Sequence, residues 1–156
     1  MSAVTLIALL FALVAASSTP AATHRMVLNH SMAGVALGDS VTRLHQILGP
    51  PKAVRNERNE ITGSVRIDIY GKLAFTSYGG TILGMKTTRR SIRTASGIGV
   101  GTRKRRLERK FPNLSCYRHV CSIVAGGGVA TIGKRVTVFR VRNGVTRSVL
   151  IGRVID

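Results

Sequence analysis

The chain has few carboxylates, no tryptophan and few aromatic residues of any kind. Six Asp and Glu residues stand against 24 Lys and Arg residues, which gives a formal net charge of +18 at pH 7. Aromatic residues make up 4% of the chain, too few for a surface that stacks single-stranded bases. The sequence shows no paired carboxylates and no recognisable nucleophile motif. We therefore expect a protein that is not an enzyme, needs no cofactor and does not read nucleic-acid sequence.

Long hydrophobic runs are also missing, except near the amino terminus. Residues 4–16 form an unbroken run of small and apolar residues, followed by Ser-Ser-Thr-Pro-Ala-Ala. This order is typical of a secretory signal with its cleavage zone, and the run is shorter than the ~20 residues that a membrane span needs. An uncleaved anchor and a buried helix are the alternatives. We expect a signal peptide at residues 1–22, a flexible leader at 23–33, and a secreted or periplasmic mature protein with no membrane span.

Cysteine is scarce, with only Cys116 and Cys121 present. An even pair in an exported chain indicates a disulfide, here across a tight turn. His119 lies between them and completes a Cys-x-x-His-x-Cys pattern, but a zinc site needs a fourth ligand that this segment does not offer. We expect a disulfide and no metal.

One segment of the sequence recurs after 63 residues. Residues 34–44 read Gly-Val-Ala-Leu-Gly-Asp-Ser-Val-Thr-Arg-Leu, and residues 97–107 read Gly-Ile-Gly-Val-Gly-Thr-Arg-Lys-Arg-Arg-Leu. Each segment reaches a large apolar residue four positions later, Leu48 and Phe111. Internal self-similarity indicates a duplicated structural unit. A residue shared by both copies is expected to serve the scaffold, whereas a residue found in one copy is free to be functional.

The first copy, residues 34–96, is predicted to open with a helix. Asp39 or Ser40 can cap it, a stripe of apolar residues follows at helical spacing, and Gly49 before two prolines ends it. Residues 52–63 are loop, a short helix or a strand. Alternating apolar residues then predict a three-stranded antiparallel meander over residues 65–86. In this meander we expect Asp68 to face outward, and His45 to pack beside the apolar stripe of the helix.

The second copy, residues 97–156, follows the same plan. Thr102 takes the capping position of Asp39, and Asn143-Gly144 is a favourable two-residue hairpin turn. Strands are expected over residues 120–124, 136–141 and 145–151. The predicted fold class is therefore α+β, with two tandem repeats that each pack a short helix on an antiparallel β-meander.

This plan resembles a known family. A Gly-x-x-x-Gly-(Asp/Ser/Thr) entry to a short helix with a Leu stripe, a Gly-Pro exit and a meander, all repeated once, is similar to the tandem repeat of β-lactamase inhibitor proteins. The single unit is also similar to the small domain of outer-membrane assembly lipoproteins. The resemblance implies a sheet whose open face is available for a partner. It implies a secreted inhibitor or assembly partner, with exposed sheet residues such as Tyr70 or Phe139 in the interface.

Three glycines precede the second predicted helix, namely Gly97, Gly99 and Gly101. Backbone N–H groups at such a place can hold an anion, here with Thr102, Arg103 and Lys104. The Gly-Lys-(Ser/Thr) ending of a nucleotide-binding loop is missing, which argues against a nucleotide enzyme. A small bound anion is the remaining expectation for this loop.

Charge is the largest difference between the two copies. Residues 34–96 hold 10 basic and 4 acidic residues, whereas residues 97–156 hold 13 and 2. Six of the eight residues 103–110 are cationic, while the matching residues 40–47 contain only Arg43. Such a field favours an anionic envelope polymer, a lipid headgroup or an acidic protein, and solvated charges of purely compositional origin are the alternative. The predicted binding residues are Arg89, Arg90, Arg93, Arg103, Lys104, Arg105, Arg106, Arg109 and Lys110.

Overall fold

The computed structural model describes residues 24–59 and 63–155, so the predicted signal peptide at residues 1–22 lies outside the described residues. Within that part of the chain there are two helices and eleven strands. Neither helix is long and apolar enough to cross a membrane. The elements are β1 (Met26–Val27), β2 (Ser31–Met32), β3 (Val35–Ala36), α1 (Val41–Leu48), β4 (Ala53–Asn59), β5 (Gly63–Ile69), β6 (Leu73–Tyr78), β7 (Thr81–Thr87), α2 (Lys104–Lys110), β8 (Ser115–Tyr117), β9 (Val120–Val124), β10 (Arg135–Arg142) and β11 (Val145–Arg153).

Eight of the strands form one sheet in the order β4-β5-β6-β7-β11-β10-β9-β8. Every neighbouring pair is antiparallel, which confirms the predicted α+β class and the antiparallel meander of residues 65–86. Residues 53–59, left open by the sequence, add a fourth strand to that meander. The central pair β7 and β11 joins the two halves, with Lys86 opposite Leu150.

The hydrophobic core lies on one face of this sheet. Alternation along β6 and β10 places Phe75 and Phe139 on that face, and both are fully buried. The helices contribute Leu44 and Leu107, which are also fully buried in the same cluster. A fully buried side chain of this size stabilises the fold by about 1.5–3 kcal/mol. Both helices therefore pack on the same side of the sheet.

The prediction of a flexible leader at residues 23–33 is wrong for the described residues from His24 onward. Met26 and Met32 are almost completely buried and belong to the core. The backbone N–H of Met26 donates to the Arg93 carbonyl at 2.9 Å, and Thr137 bonds twice to Asn29. This segment is held in place by contacts with residues more than 60 positions away. Such contacts leave no periodic pattern in the local sequence, so they could not be predicted from it.

Helix α1 begins and ends where the sequence predicts. The Ser40 hydroxyl accepts from the backbone N–H of Arg43 at 3.1 Å, and Gly49 ends the helix with a positive φ of 76°. Helix α2 differs from the prediction, because its N-cap is Arg103 and makes no side-chain capping bond. Thr102 instead accepts from the N–H of Gly99 at 3.0 Å, in the turn before the helix.

Both helices are attached to the sheet by matching hydrogen bonds. Before α1, the N–H of Gly38 donates to the Ile82 carbonyl at 2.9 Å; before α2, the N–H of Gly101 donates to the Thr146 carbonyl at 2.8 Å. Both glycines have φ near 90°, a conformation that favours glycine. The recurring glycines thus serve the same local backbone geometry in the two halves.

The two central hairpins also carry matching β-bulges. In the β6–β7 hairpin, Leu83 is the extra residue next to the pair Thr76 and Gly84. In the β10–β11 hairpin, Arg147 is the extra residue next to the pair Arg140 and Ser148. The irregularity falls 64 positions later in the second hairpin.

Candidate anion-binding grooves

Helix α2 presents almost only charged side chains to solvent. Of its seven residues only Leu107 is buried, so this single side chain attaches the helix to the core. Arg105, Arg106 and Arg109 are exposed. Lys104 pairs with Glu108 at 3.5 Å, a surface ion pair that contributes at most about 1 kcal/mol. The helix is therefore a short, weakly anchored element that displays positive charge.

The segment between β7 and α2 forms the other wall of the candidate site. The guanidinium of Arg93 donates to the carbonyls of Gly97 at 2.8 Å and Val100 at 3.1 Å. These bonds fix the conformation of the turn of residues 94–101. Arg93 is therefore a fixed part of the site. Arg106 is tied to the same turn, because its guanidinium donates to the Ser96 carbonyl at 3.0 Å, whereas Arg105 and Arg109 are exposed.

Between α2 and this turn lies a groove of about 880 Å³, which we call the α2 groove. It opens beside Gly101 and Thr102. An added side-chain carbon at Gly101 would lie 3.7 Å from Arg93 Nη2 and 3.9 Å from Arg90 Nε, which places Arg90 at the same opening. The charged residues that line the groove are Arg93, Arg103, Arg105, Arg106, Glu108 and Arg109.

The other predicted binding residues lie around or away from the α2 groove. Lys104 lines a second groove of about 510 Å³ that reaches Asn143, and Lys110 lines a smaller one of about 250 Å³ beside Arg106. Arg89 does not join them, because its guanidinium donates to the Tyr70 carbonyl at 2.7 Å. Arg89 therefore serves the fold of the first half.

The structure contradicts a phosphate cradle in the glycine-rich turn. The N–H groups of Gly97, Gly99 and Gly101 all donate within the protein: to the Thr94 carbonyl, to Thr102 Oγ1 and to the Thr146 carbonyl. A backbone donor that is already paired cannot bind an anion without losing its partner. These three N–H groups therefore cannot hold an anion in the folded protein.

A fourth groove, also basic, lies beside the β10–β11 hairpin, where the sequence had not predicted a site. It has a volume of about 810 Å³, and we call it the hairpin groove. Arginines at alternate positions of β10 could have signalled it, because alternate residues of a strand share a face. The residues that line it include His119, Val120, Arg140, Arg142, Asn143 and Arg147.

The turn that the predicted disulfide closes forms one wall of the hairpin groove, through His119 and Val120. Cys116 and Cys121 are bonded to each other and close the β8–β9 turn, which confirms that prediction. The N–H of Val141 donates to the His119 carbonyl at 2.7 Å, which holds the turn against β10. Tyr117, which lies in this turn, is 72% exposed, and the Arg118 guanidinium is 5.3 Å from the centroid of its ring.

Two predictions about side-chain orientation in the first half are wrong. Asp68 does not face outward; it is 1% exposed on the helix-covered face. Its carboxylate accepts from Arg66 Nε at 2.7 Å and lies 2.9 Å from His45 Nε2, because a buried carboxylate requires such partners. Tyr70 is likewise buried, and its hydroxyl donates to the Gly49 carbonyl at 3.0 Å. Burial, with the Asp68 charge second, raises the pKa of the Tyr70 phenol.

The implied interface residues on the open sheet face need the same correction. Tyr70 and Phe139 both point into the core, so neither can contact a partner there. Among the described residues, the open face instead presents Ile67, Ile69 and Leu150.

Comparison with known proteins adds little to this geometry. No protein-family model matches the chain, and no curated protein sequence matches it. A solved structure, that of an extracellular protein containing an SCP domain from Bacillus anthracis, is similar with a TM-score of 0.47 and 12% sequence identity. The alignment covers 75% of this chain and 44% of that one.

Proposed function

We propose that this protein is an exported, non-enzymatic binding protein built from two tandem repeats, and that the α2 groove of the second repeat binds an anionic partner. The partner is an anionic envelope polymer, a lipid headgroup or an acidic protein. Support for the repeats comes from the matching helix attachments and the matching bulges of the two hairpins. Support for binding comes from the second half alone, because α1 offers no comparable charge.

The observation that carries the proposal is the unpaired charge around the α2 groove. The described residues contain three salt bridges, two of them at Asp68 and the third between Lys104 and Glu108. Arg103, Arg105 and Arg109 therefore have no carboxylate partner within that part of the chain. Clustered guanidinium groups repel one another in the free protein, and an anionic ligand relieves that repulsion. Their planar forks also suit bidentate contacts with phosphate, sulfate and carboxylate groups.

Export is the second element of the proposal. It is supported by the predicted signal at residues 1–22 and by the disulfide between Cys116 and Cys121, since disulfides persist in oxidising compartments. Envelope polymers and secreted proteins are within reach of a protein in that location.

The test compares two variants with the same charge change. In the groove variant, Arg103, Arg105, Arg106 and Arg109 are replaced by Gln; in the control variant, the exposed residues Arg43, Lys52, Arg58 and Lys72 are replaced by Gln. Retention on heparin, on poly-aspartate and on phosphatidylglycerol vesicles is measured along a NaCl gradient, after thermal unfolding has shown that both variants fold.

We expect the wild-type chain to be retained by at least one of these probes and to elute as salt screens the charges. The groove variant should elute at much lower salt than the control variant. Equal losses in both variants would show that only net charge matters, and retention that does not depend on salt would contradict an electrostatic site.

A second candidate function uses the open face of the sheet. Ile67, Ile69 and Leu150 line a shallow groove of about 340 Å³ there, and no described helix or strand covers this face. Such a surface suits a protein inhibitor or an assembly partner. This function predicts a stoichiometric complex that survives high salt and is lost in the Ile67→Arg variant. If the complex persists in that variant, the open face is not the interface.

A further inference from the structure

The basic grooves of the second half are neighbours that share lining residues. The 510 Å³ groove shares Arg103, Arg105 and Glu108 with the α2 groove, and it shares Asn143 with the hairpin groove. We call this intermediate space the bridging groove. The three grooves therefore form one path around the tip of the β10–β11 hairpin, rather than three separate sites.

The backbone register explains why the path is continuous. Arg103 forms an isolated antiparallel bridge with Val145, and Val145 is the strand partner of Arg142. Residues directly opposite each other in antiparallel strands place their side chains on the same side of the sheet. Arg103, at the start of α2, and Arg142, at the end of β10, therefore flank one valine.

The bulge in β11 adds charge to the far end of the path. Arg147 is the extra residue opposite Arg140, and bulges commonly redirect a side chain. Both arginines line the hairpin groove. The residues 64 positions earlier are Thr76 and Leu83, and Tyr78 precedes Arg142 by the same interval. Three arginines of the second hairpin thus occupy places that carry no charge in the first.

The path is long compared with a single small anion. From Arg109 along α2, across Val145 and along β10 to Arg140, helical and strand dimensions give roughly 25 Å. Glu108 is the only carboxylate that lines it among the described residues, and its charge is paired with Lys104. A ligand that neutralises the whole path must carry several negative charges in a row.

Building on the proposed function, we propose that the α2, bridging and hairpin grooves form one basic track that binds a linear polymer carrying a phosphate at each repeat. Arginine dominates the track, and its planar fork binds phosphate oxygens in pairs. An extended chain can follow a track that bends around a hairpin tip and contact all three grooves at once. Contacts along one chain add up, because after the first contact the others are intramolecular.

The experiment measures the binding of tripolyphosphate and of long-chain polyphosphate to the full chain by calorimetry. It uses three variants in addition to the wild type. In the hairpin variant, Arg140, Arg142 and Arg147 are replaced by Gln; in its control, Arg43, Arg58 and Lys72 are replaced by Gln. The third is the α2 groove variant described above.

We expect the wild-type chain to bind the long polymer at least about tenfold more tightly per phosphate than tripolyphosphate. The hairpin variant should lose this advantage and still bind tripolyphosphate as the wild type does, while the control keeps the advantage. The α2 groove variant should lose both ligands. If it retains both, the proposed function fails, which is a different result from failure of the track.

Equal affinity per phosphate for the two lengths in the wild type would overturn the track, even if the α2 groove binds anions. A hairpin variant that matches the control would also overturn it. Phosphatidylglycerol vesicles form a separate arm. If they bind in a way that depends on Arg140, Arg142 and Arg147 while polyphosphate of either length does not bind, the surface belongs to a membrane and the polymer proposal is wrong.

Discussion

Helices α1 and α2 occupy matching places on the sheet but differ in how their first turns are capped and charged. Helix α1 has a serine cap, and Ile47 and Leu48 pack against the core beside the buried Leu44. Helix α2 buries one side chain as α1 does, but it has no side-chain cap and begins with the cations Lys104 and Arg105. The two helices therefore differ at their first turns, where α1 is capped and α2 carries uncapped positive charge.

The positive charges at the start of α2 act against the helix itself. Lys104 and Arg105 lie in its first turn, where the backbone amides already carry partial positive charge, and each such cation costs about 0.3–1 kcal/mol. Arg105 and Arg109 are four residues apart, so they repel each other on one face by a few tenths of a kcal/mol. Sequences that depart from a local stability rule commonly do so at functional sites. The difference between the helices therefore favours a function for α2 over a purely compositional origin of its arginines.

The largest expected effect tests whether the two halves share one scaffold. Phe75 and Phe139 occupy corresponding core positions and are both fully buried. We expect Phe75→Ala and Phe139→Ala each to lower the free energy of unfolding by about 3–5 kcal/mol, through lost burial and a residual cavity. Urea unfolding followed by circular dichroism measures this loss.

Both variants should unfold in a single transition, because β7 and β11 join the halves in one sheet. Val27→Ala serves as the control, since Val27 is 52% exposed. A second transition in either variant would show that the halves are independent units. A loss below about 1 kcal/mol at one position only would show that the two cores are not equivalent.

Much of the scaffold was predictable, because its signals are local. Ser40 and Gly49 mark the ends of α1, and Asn143 with Gly144 marks the β10–β11 turn; the structure confirms all of these. The disulfide between Cys116 and Cys121 could be predicted from the number and spacing of the cysteines alone. In each case the residue type and its near neighbours determine the backbone, so no knowledge of distant contacts was required.

The errors occurred where distant residues decide the outcome. The alternation of side chains along β5 was predicted correctly, but the face on which Asp68 lies was not. That face depends on the contacts of Asp68 with His45 and Arg66 in the folded protein. The ordered conformation of residues 24–36 depends on hydrogen bonds with Arg93 and Thr137. The hairpin groove depends on which strands and turns become neighbours, so the sequence places its arginines on strands without showing that they line one groove.

A smaller effect tests how the end of α1 is held. The hydroxyl of Tyr70, which directly follows β5, donates to the carbonyl of Gly49, the residue that ends this helix. We expect Tyr70→Phe to lower the free energy of unfolding by about 1 kcal/mol at neutral pH. Denaturant unfolding measures it, with Tyr78→Phe as the control at an exposed position.

The same variant changes the response to alkaline pH. Burial raises the pKa of Tyr70 in the folded state, while an unfolded tyrosine ionises near pH 10. The folded state therefore favours the neutral phenol, so this contribution is complete below about pH 10 and is lost as the pH rises through the folded pKa. Tyr70→Phe should flatten the decline of stability above pH 10. An unchanged decline would mean that Tyr70 is not the group responsible.

The smallest effect separates stability from binding within α2. In Arg105→Glu, a carboxylate enters the first turn of α2, where it favours the helix dipole, and it lies four residues before Arg109, where it can form an ion pair. We expect the free energy of unfolding to rise by about 0.5–1 kcal/mol, while retention on heparin or polyphosphate weakens. Arg105→Gln, which only removes the positive charge, should fall between the wild type and Arg105→Glu in both measurements. If Arg105→Glu gains stability while it binds the ligand more weakly, the positive charge of α2 destabilises the fold and is needed for binding. A variant that loses stability would instead mean that the arginine supports the helix, and the contrast between α1 and α2 would no longer point to function.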